Sequence, residues 1–160
     1  MFDYDNETMK DLKKSLKNSE WMGDIKIYTM DKFPFGSKYD MIIFRWCLGY
    51  LTDTVLLEVL IRAKHALKNL TGEIIVQENI SHKKIYEYNG YAKESPSEFE
   101  NASHYEIQTL RSEDMYEEIF KKAGLKILRK IDDDKLIQDN SYYPITAWKL
   151  IGSNGVLGRN

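Results

Sequence analysis

Short apolar runs alternate along this chain with stretches in which apolar residues recur every three or four positions, the pattern of strands and helices packed in α/β layers. Residues 39–48, YDMIIFRWCL, are apolar on both faces and rich in β-branched and aromatic side chains, which predicts a central parallel strand covered by helices on each side. The chain turns at Gly49. Thr52 or Asp53 then caps a helix whose Leu56, Leu60, Ala63 and Leu67 form one stripe, with Gly72 just past its end as a breaker. GEIIVQENI, residues 72–80, reads as the next buried strand. Ser112 caps EDMYEEIFKKAGL, which carries Glu113 and Asp114 in its first turn and Gly124 at its stop. LKILRKI and PITAWKLI read as two further strands around the acidic turn DDDKLIQDNSYY, and GSNGVLGRN as a frayed tail.

Other stretches are less regular. MFDY predicts a very short strand ending in Asp3, and NETMKDLKKSLKN a helix with Met9, Leu12 and Leu16 on one face. DIKIYTM, after a turn at Gly23, predicts a half-buried strand. Residues 80–105 lose periodicity and gather Gly90, Pro96, serines and asparagines, a long excursion with room for one irregular helical turn. Loops of that length in compact domains are usually functional or disordered.

Composition narrows the picture. The 160 residues, 42% hydrophobic, suffice for one core, so one compact domain is expected. A formal charge of -2, from 23 basic and 25 acidic residues spread along the chain, gives no basic face for nucleic acid. Cys47 is the single cysteine and reads as a small buried hydrophobe, which excludes a disulfide within the chain. No apolar run is long enough to span a bilayer, and the first ten residues do not read as a signal peptide. An intracellular, reducing and soluble compartment, cytoplasm or nucleus, is the expectation. His65, His82 and His104 lack the spacing of a zinc site, and the acidic run at 132–134 lacks the glycine and terminal glutamate of a calcium loop.

The order of elements, with the words YDMIIFRWCLGYLTD, GEIIVQENI and SEDMYEEIFKKAGL, resembles the S-adenosylmethionine-dependent protein N-terminal methyltransferases, which methylate the α-amine of Xaa-Pro-Lys termini. The resemblance runs from residue 1 to about 151, leaving 152–160 as a tail. It implies a Rossmann-like class I methyltransferase fold, α/β with a mostly parallel sheet, helices on both faces and the cofactor across the carboxyl ends of the strands. In that scheme Met1–Asp3 is the second strand, and the first strand with its Gly-rich cofactor turn is missing. The sheet is then N-terminally incomplete, with two strand edges facing a gap, and unpaired buried backbone groups cost about 1–3 kcal/mol each. Three explanations stand open: a fragment or misassigned start, a second chain that supplies the strand, or a sheet rearranged into a non-enzymatic module.

The resemblance also implies roles for individual residues. Asp3 matches the acidic contact to the cofactor ribose and Tyr4 the adenine-side position, while Thr29 and Met30 fall on adenine contacts, Met30 replacing a glutamine. Arg45 also replaces a glutamine near the cofactor. A guanidinium beside a sulfonium is unfavourable unless it pairs with the cofactor carboxylate or an acid such as Asp3. Trp46 matches the ring that packs on the substrate's proline, and Tyr50 replaces a histidine of the same pocket. Asn79 matches the amide that orients the α-amine, and Glu106 an aspartate that serves as proton acceptor. Tyr143 matches a pocket tyrosine, although Tyr142 beside it leaves the register open. Taken without the resemblance, Asp3 and Glu106 are solvated acids and Trp46 is equally a core residue.

Two functions follow. One is a truncated or split methyltransferase that binds S-adenosylmethionine once the missing motif is supplied and takes a protein N-terminus as substrate. The other is an inactive, methyltransferase-like structural or adaptor subunit of a larger assembly, suggested by the missing glycine turn and the changes at Met30, Arg45 and Tyr50.

Overall fold

The computed structural model describes residues 28–36, 38–68, 71–89, 91–100, 102, 106–132 and 143–153. It divides into two units, one ending at Pro34 and one beginning at Phe35, each taken by itself. In the first, Met30–Lys32 form a single 3-10 turn, and Tyr28 meets Phe33 edge to face at 5.7 Å. Met30, expected to close a strand, opens this turn instead. The N-terminal strand and helix expected before residue 20 lie outside the described residues, as do Asp3 and Tyr4.

The second unit holds a four-stranded sheet in the order β1 (Met41–Arg45), β2 (Glu73–Asn79), β7 (Ile145–Gly152), β6 (Leu125–Asp132). β1 and β2 run parallel, joined by helix α1 (Asp53–Ala66) as the long crossover that parallel pairing requires. β7 is antiparallel to both its neighbours, so the described sheet is mixed. Thr52, not Asp53, caps α1, its hydroxyl accepting from the Val55 N–H at 3.4 Å. The predicted stripe is buried along Leu56, Leu60 and Ala63. The helix stops at Ala66, six residues before Gly72. Gly72 has another reason to be glycine: a Cβ there would lie 2.8 Å from Leu67 Cβ and 3.0 Å from the Tyr39 carbonyl oxygen.

Successive strand residues point to opposite faces. On one face Phe44, Ile74, Val76, Trp148 and Leu150 are buried, and Trp148 joins Tyr116 and Phe120 of helix α2 (Glu113–Lys122) in an aromatic cluster with centroids 5.4–6.0 Å apart. On the other face Met41 is 49% and Ile43 62% exposed. The strand expected to be covered on both sides is therefore covered on one. It is also the end strand of the sheet, with no described strand along its outer edge.

The excursion at 80–105 is more ordered than its lost periodicity suggests. Strands β3 (Ile85–Tyr88) and β4 (Tyr91–Lys93) form a hairpin, and β5 (Gln108–Leu110) completes a three-stranded sheet in the order β4-β3-β5. Tyr88 pairs with Tyr91 around Asn89, which takes φ 51°. Asn-Gly between two pairing residues is a strong short-range hairpin signal that the sequence reading passed over. Ser95 and Glu98 then form a capping box around the 3-10 turn Pro96–Glu98.

Candidate active site

Register alone brings three candidate residues to one end of the four-stranded sheet. Arg45 closes β1 opposite Gln77, so Trp46 leaves from the carboxyl end of the parallel pair, and its N–H donates to the Gln77 carbonyl at 2.9 Å. Asn79 ends β2 opposite Ile145, which sets Tyr143, two residues earlier, at the same end. Trp46 sits at φ 50°, a left-handed conformation that is an outlier for a bulky side chain. Its indole is 38% exposed, and the Arg45 guanidinium lies 4.2 Å from the ring centre, a cation–π contact.

Tyr50 closes the 3-10 turn Leu48–Tyr50 that follows Trp46. Above it lies the smaller sheet: a Cβ on Gly49 would fall 2.9 Å from the Gln108 side chain and 3.2 Å from the Thr109 carbonyl oxygen. Glu87 of β3 pairs with Gln108 and accepts a hydrogen bond from the Tyr143 hydroxyl. Burial, then the charge of Glu87, raises the Tyr143 hydroxyl above its ordinary range, and burial with Glu87 and Glu78 does the same for Tyr50. Both tyrosines therefore remain protonated donors at neutral pH. Beside Tyr143 opens a cavity of about 520 Å³, lined by Ile80, His82, Pro144 and the first turn of α2.

Beneath the turn is a polar cluster that sequence reading missed. Glu78 and Arg111 are both fully buried. Glu78 Oε1 accepts from the N–H groups of Cys47 and Leu48, each at 2.8 Å. Arg111 donates to the carbonyls of Leu48 at 3.4 Å and Leu51 at 2.5 Å, and its Nε to Asp53 Oδ1 at 2.8 Å, whose other oxygen takes Lys84 Nζ at 2.7 Å. Burial pushes Glu78 up to about 7, against the pull of the two N–H donors and Arg111. The Cys47 thiol is pushed up to about 12 by burial and Glu78, which leaves it inert as a nucleophile at neutral pH. One signal for Glu78 was available, since it shares the parity of buried Ile74 and Val76. Glu106 stands exposed two residues ahead of β5, and Thr29 and Met30 are half-buried in the first unit.

The model of a family described as AdoMet-dependent proline di-methyltransferases matches residues 1–151. The chain belongs to this family. It is 28% identical over 106 residues to alpha N-terminal protein methyltransferase 1 of Arabidopsis thaliana, a match that takes in 66% of this chain and 33% of that protein. Among solved structures it is similar to a SAM-dependent methyltransferase of Leishmania major, with TM-score 0.69 and 19% identity over 90% of this chain and 51% of that one. A second, from Clostridium acetobutylicum, gives TM-score 0.64 and 11% identity over 93% and 72%. These likenesses establish the Rossmann-like methyltransferase fold. The chain spans about a third of its Arabidopsis relative and about half of the Leishmania protein.

The described residues fit S-adenosylmethionine in part. The exposed guanidinium of Arg45, at the carboxyl end of the parallel pair, has the planar donor set that suits the amino-acid carboxylate of that cofactor and opposes its sulfonium. Asp3, expected from the resemblance to contact the ribose, lies outside the described residues.

Proposed function

We propose that this chain is part of an S-adenosylmethionine-dependent methyltransferase that methylates the N-terminal amine of proteins beginning Xaa-Pro-Lys. The observation that carries this reading is the gathering of Trp46, Asn79 and Tyr143 at one end of the sheet, with Tyr50 on the turn beside Trp46, in a chain of this family. When bound, S-adenosylmethionine supplies an electrophilic methyl group on a sulfonium. Arg45 is assigned to its carboxylate, and the resemblance alone assigns Asp3, Tyr4, Thr29 and Met30 to the nucleoside. The Trp46 ring receives the flat proline at the substrate's second position and excludes water from one side of the amine. The Asn79 amide oxygen accepts from the amine and directs its lone pair, an interaction that demands no charge on the protein. An α-amine has an ordinary pKa of about 7.7–8.0, so a modest acceptor suffices, and Glu106 takes the proton. Tyr50 and Tyr143 complete the pocket that receives the substrate. Residues 1–151 act as one methyltransferase domain with 152–160 as a tail, in a reducing intracellular compartment.

The exposed Met41 and Ile43, on a strand with no described neighbour along its outer edge, support a sheet completed by a further segment or a second chain. The same exposure supports a second reading, an inactive adaptor that docks through this strand. Two measurements on the full protein separate them: calorimetric titration with S-adenosylhomocysteine, and mass spectrometry of a Ser-Pro-Lys peptide incubated with S-adenosylmethionine. Heat of binding and methylation of the free peptide, absent from the same peptide acetylated at its amine, support the enzyme. No binding and no methylation would overturn it in favour of the adaptor.

A further inference from the structure

The geometry points to Glu78 and Arg111 as positioning residues, a buried clamp that fixes the Trp46–Tyr50 turn in the shape that receives substrate; the assignment to substrate rests on the function proposed above. Each takes a different half of the turn's backbone. Glu78 collects the N–H groups of Cys47 and Leu48, and Arg111 collects the carbonyls of Leu48 and Leu51. Two consecutive N–H groups converge on one carboxylate oxygen because the residue before them, Trp46, is left-handed at φ 50°. That conformation costs a bulky residue free energy and persists only where its surroundings over-determine it. Here the two hydrogen bonds that Cys47 and Leu48 donate to Glu78 supply the constraint, and the bonds from Arg111 hold the carbonyl side of the turn.

The anchoring is directional. Glu78 and Asn79 are consecutive in β2, so they point to opposite faces: Glu78 reaches in to the turn's backbone, and Asn79 reaches out at the strand end. One rigid strand end thus references the proline platform and the amide beside it to the same backbone. Arg111 is itself held by Asp53, the first residue of α1, and by a bridge between its own backbone and Ile80, just beyond Asn79. Among the described residues the charge of Glu78 also acts on Cys47, Tyr50 and Tyr116, and none of these three is a cation.

The decisive variant is Glu78→Ala, which removes the acceptor, in the full protein, read by residue-resolved hydrogen exchange and by steady-state kinetics on a Ser-Pro-Lys peptide. A clamp predicts that the Cys47 and Leu48 amides exchange about 10-fold faster or more while amides in β6, β7 and α2 keep their protection. It also predicts that KM for the peptide rises about 10-fold, with kcat and the affinity for S-adenosylhomocysteine held within about 2-fold. Unchanged exchange at Cys47 and Leu48, or local loosening with an unchanged KM, overturns the assignment. If protection falls everywhere, Glu78→Asp replaces it: the carboxylate stays but retreats by one methylene, and the same local pattern must appear in weaker form or the clamp is wrong. If the wild-type protein methylates no peptide, the functional reading fails, and the exchange pattern alone still decides whether the clamp exists.

Discussion

The two faces of the four-stranded sheet differ sharply along strand β1. On one, Phe44, Ile74, Val76, Trp148 and Leu150 are packed away against helical side chains, with Phe44 the most exposed of them at 6%. On the other, Met41 and Ile43 of the same strand stand largely open. A strand that alternates between a finished core and bare hydrocarbon is not a surface strand in character, because protected edges and faces carry charges or bulges. β6, at the opposite end of the sheet, has both: Lys126, Arg129 and Lys130, and a register shift between Ile127 and Arg129. The helix-covered face makes the unit fold, and Met41 and Ile43 lie outside that core.

Phe44→Ala tests the first half of that contrast and carries the largest effect, a loss of about 3–5 kcal/mol in denaturant unfolding, since it empties a filled core site. Asn79→Leu, at the end of the neighbouring strand, is expected to lower kcat for peptide methylation by about 10²–10³-fold and leave folding intact; unchanged turnover means the amine is held elsewhere. Glu78→Gln bears on stability as a function of pH. Burial raises Glu78 from an ordinary 4.5 to about 7, so its folded form binds a proton more tightly than its unfolded form. The stabilisation is complete below pH 4.5 and is lost as pH rises through about 7. Relative to the wild type, the glutamine variant should therefore gain up to about 3 kcal/mol as pH moves from 4.5 to 8, and parallel stability curves would contradict this. Asp53, whose carboxyl is lowered by Lys84 and Arg111 against the opposing effect of burial, contributes with the opposite sign and at lower pH. Ile43→Lys should change unfolding free energy by no more than about 0.5 kcal/mol, although it lies next to Phe44. A loss as large as that of Phe44→Ala would show that the open face is covered in the protein, and would end the contrast.

Much of the covered face was legible beforehand. Caps at Thr52 and Ser112 and apolar spacing along α1 gave both described helices, and β-branched runs gave β1, β2, β6 and β7. The hairpin at 85–93 was missed because its tyrosines and charges, Tyr86, Glu87, Tyr88 and Tyr91, carry no strict alternation, so that only Asn89–Gly90 marked it. The site divided in the same way. Trp46, Asn79 and Tyr143 were reached through resemblance, and strand register accounts for their meeting. Glu78 and Arg111 escaped because a buried acid and a buried base 33 positions apart leave no local pattern: each looks like a solvated charge until the fold encloses it.

Arg111 occupies a seam. Its backbone bridges Ile80 where the larger sheet ends, it directly follows Leu110 of the smaller sheet, and its guanidinium reaches back to Leu48 and Leu51. The hairpin layer therefore cannot swing outward without pulling on the loop that bears the tryptophan. Opening of that layer and loss of the Trp46–Tyr50 turn's shape become a single mechanical event, so whatever steadies the hairpin from outside also steadies the turn.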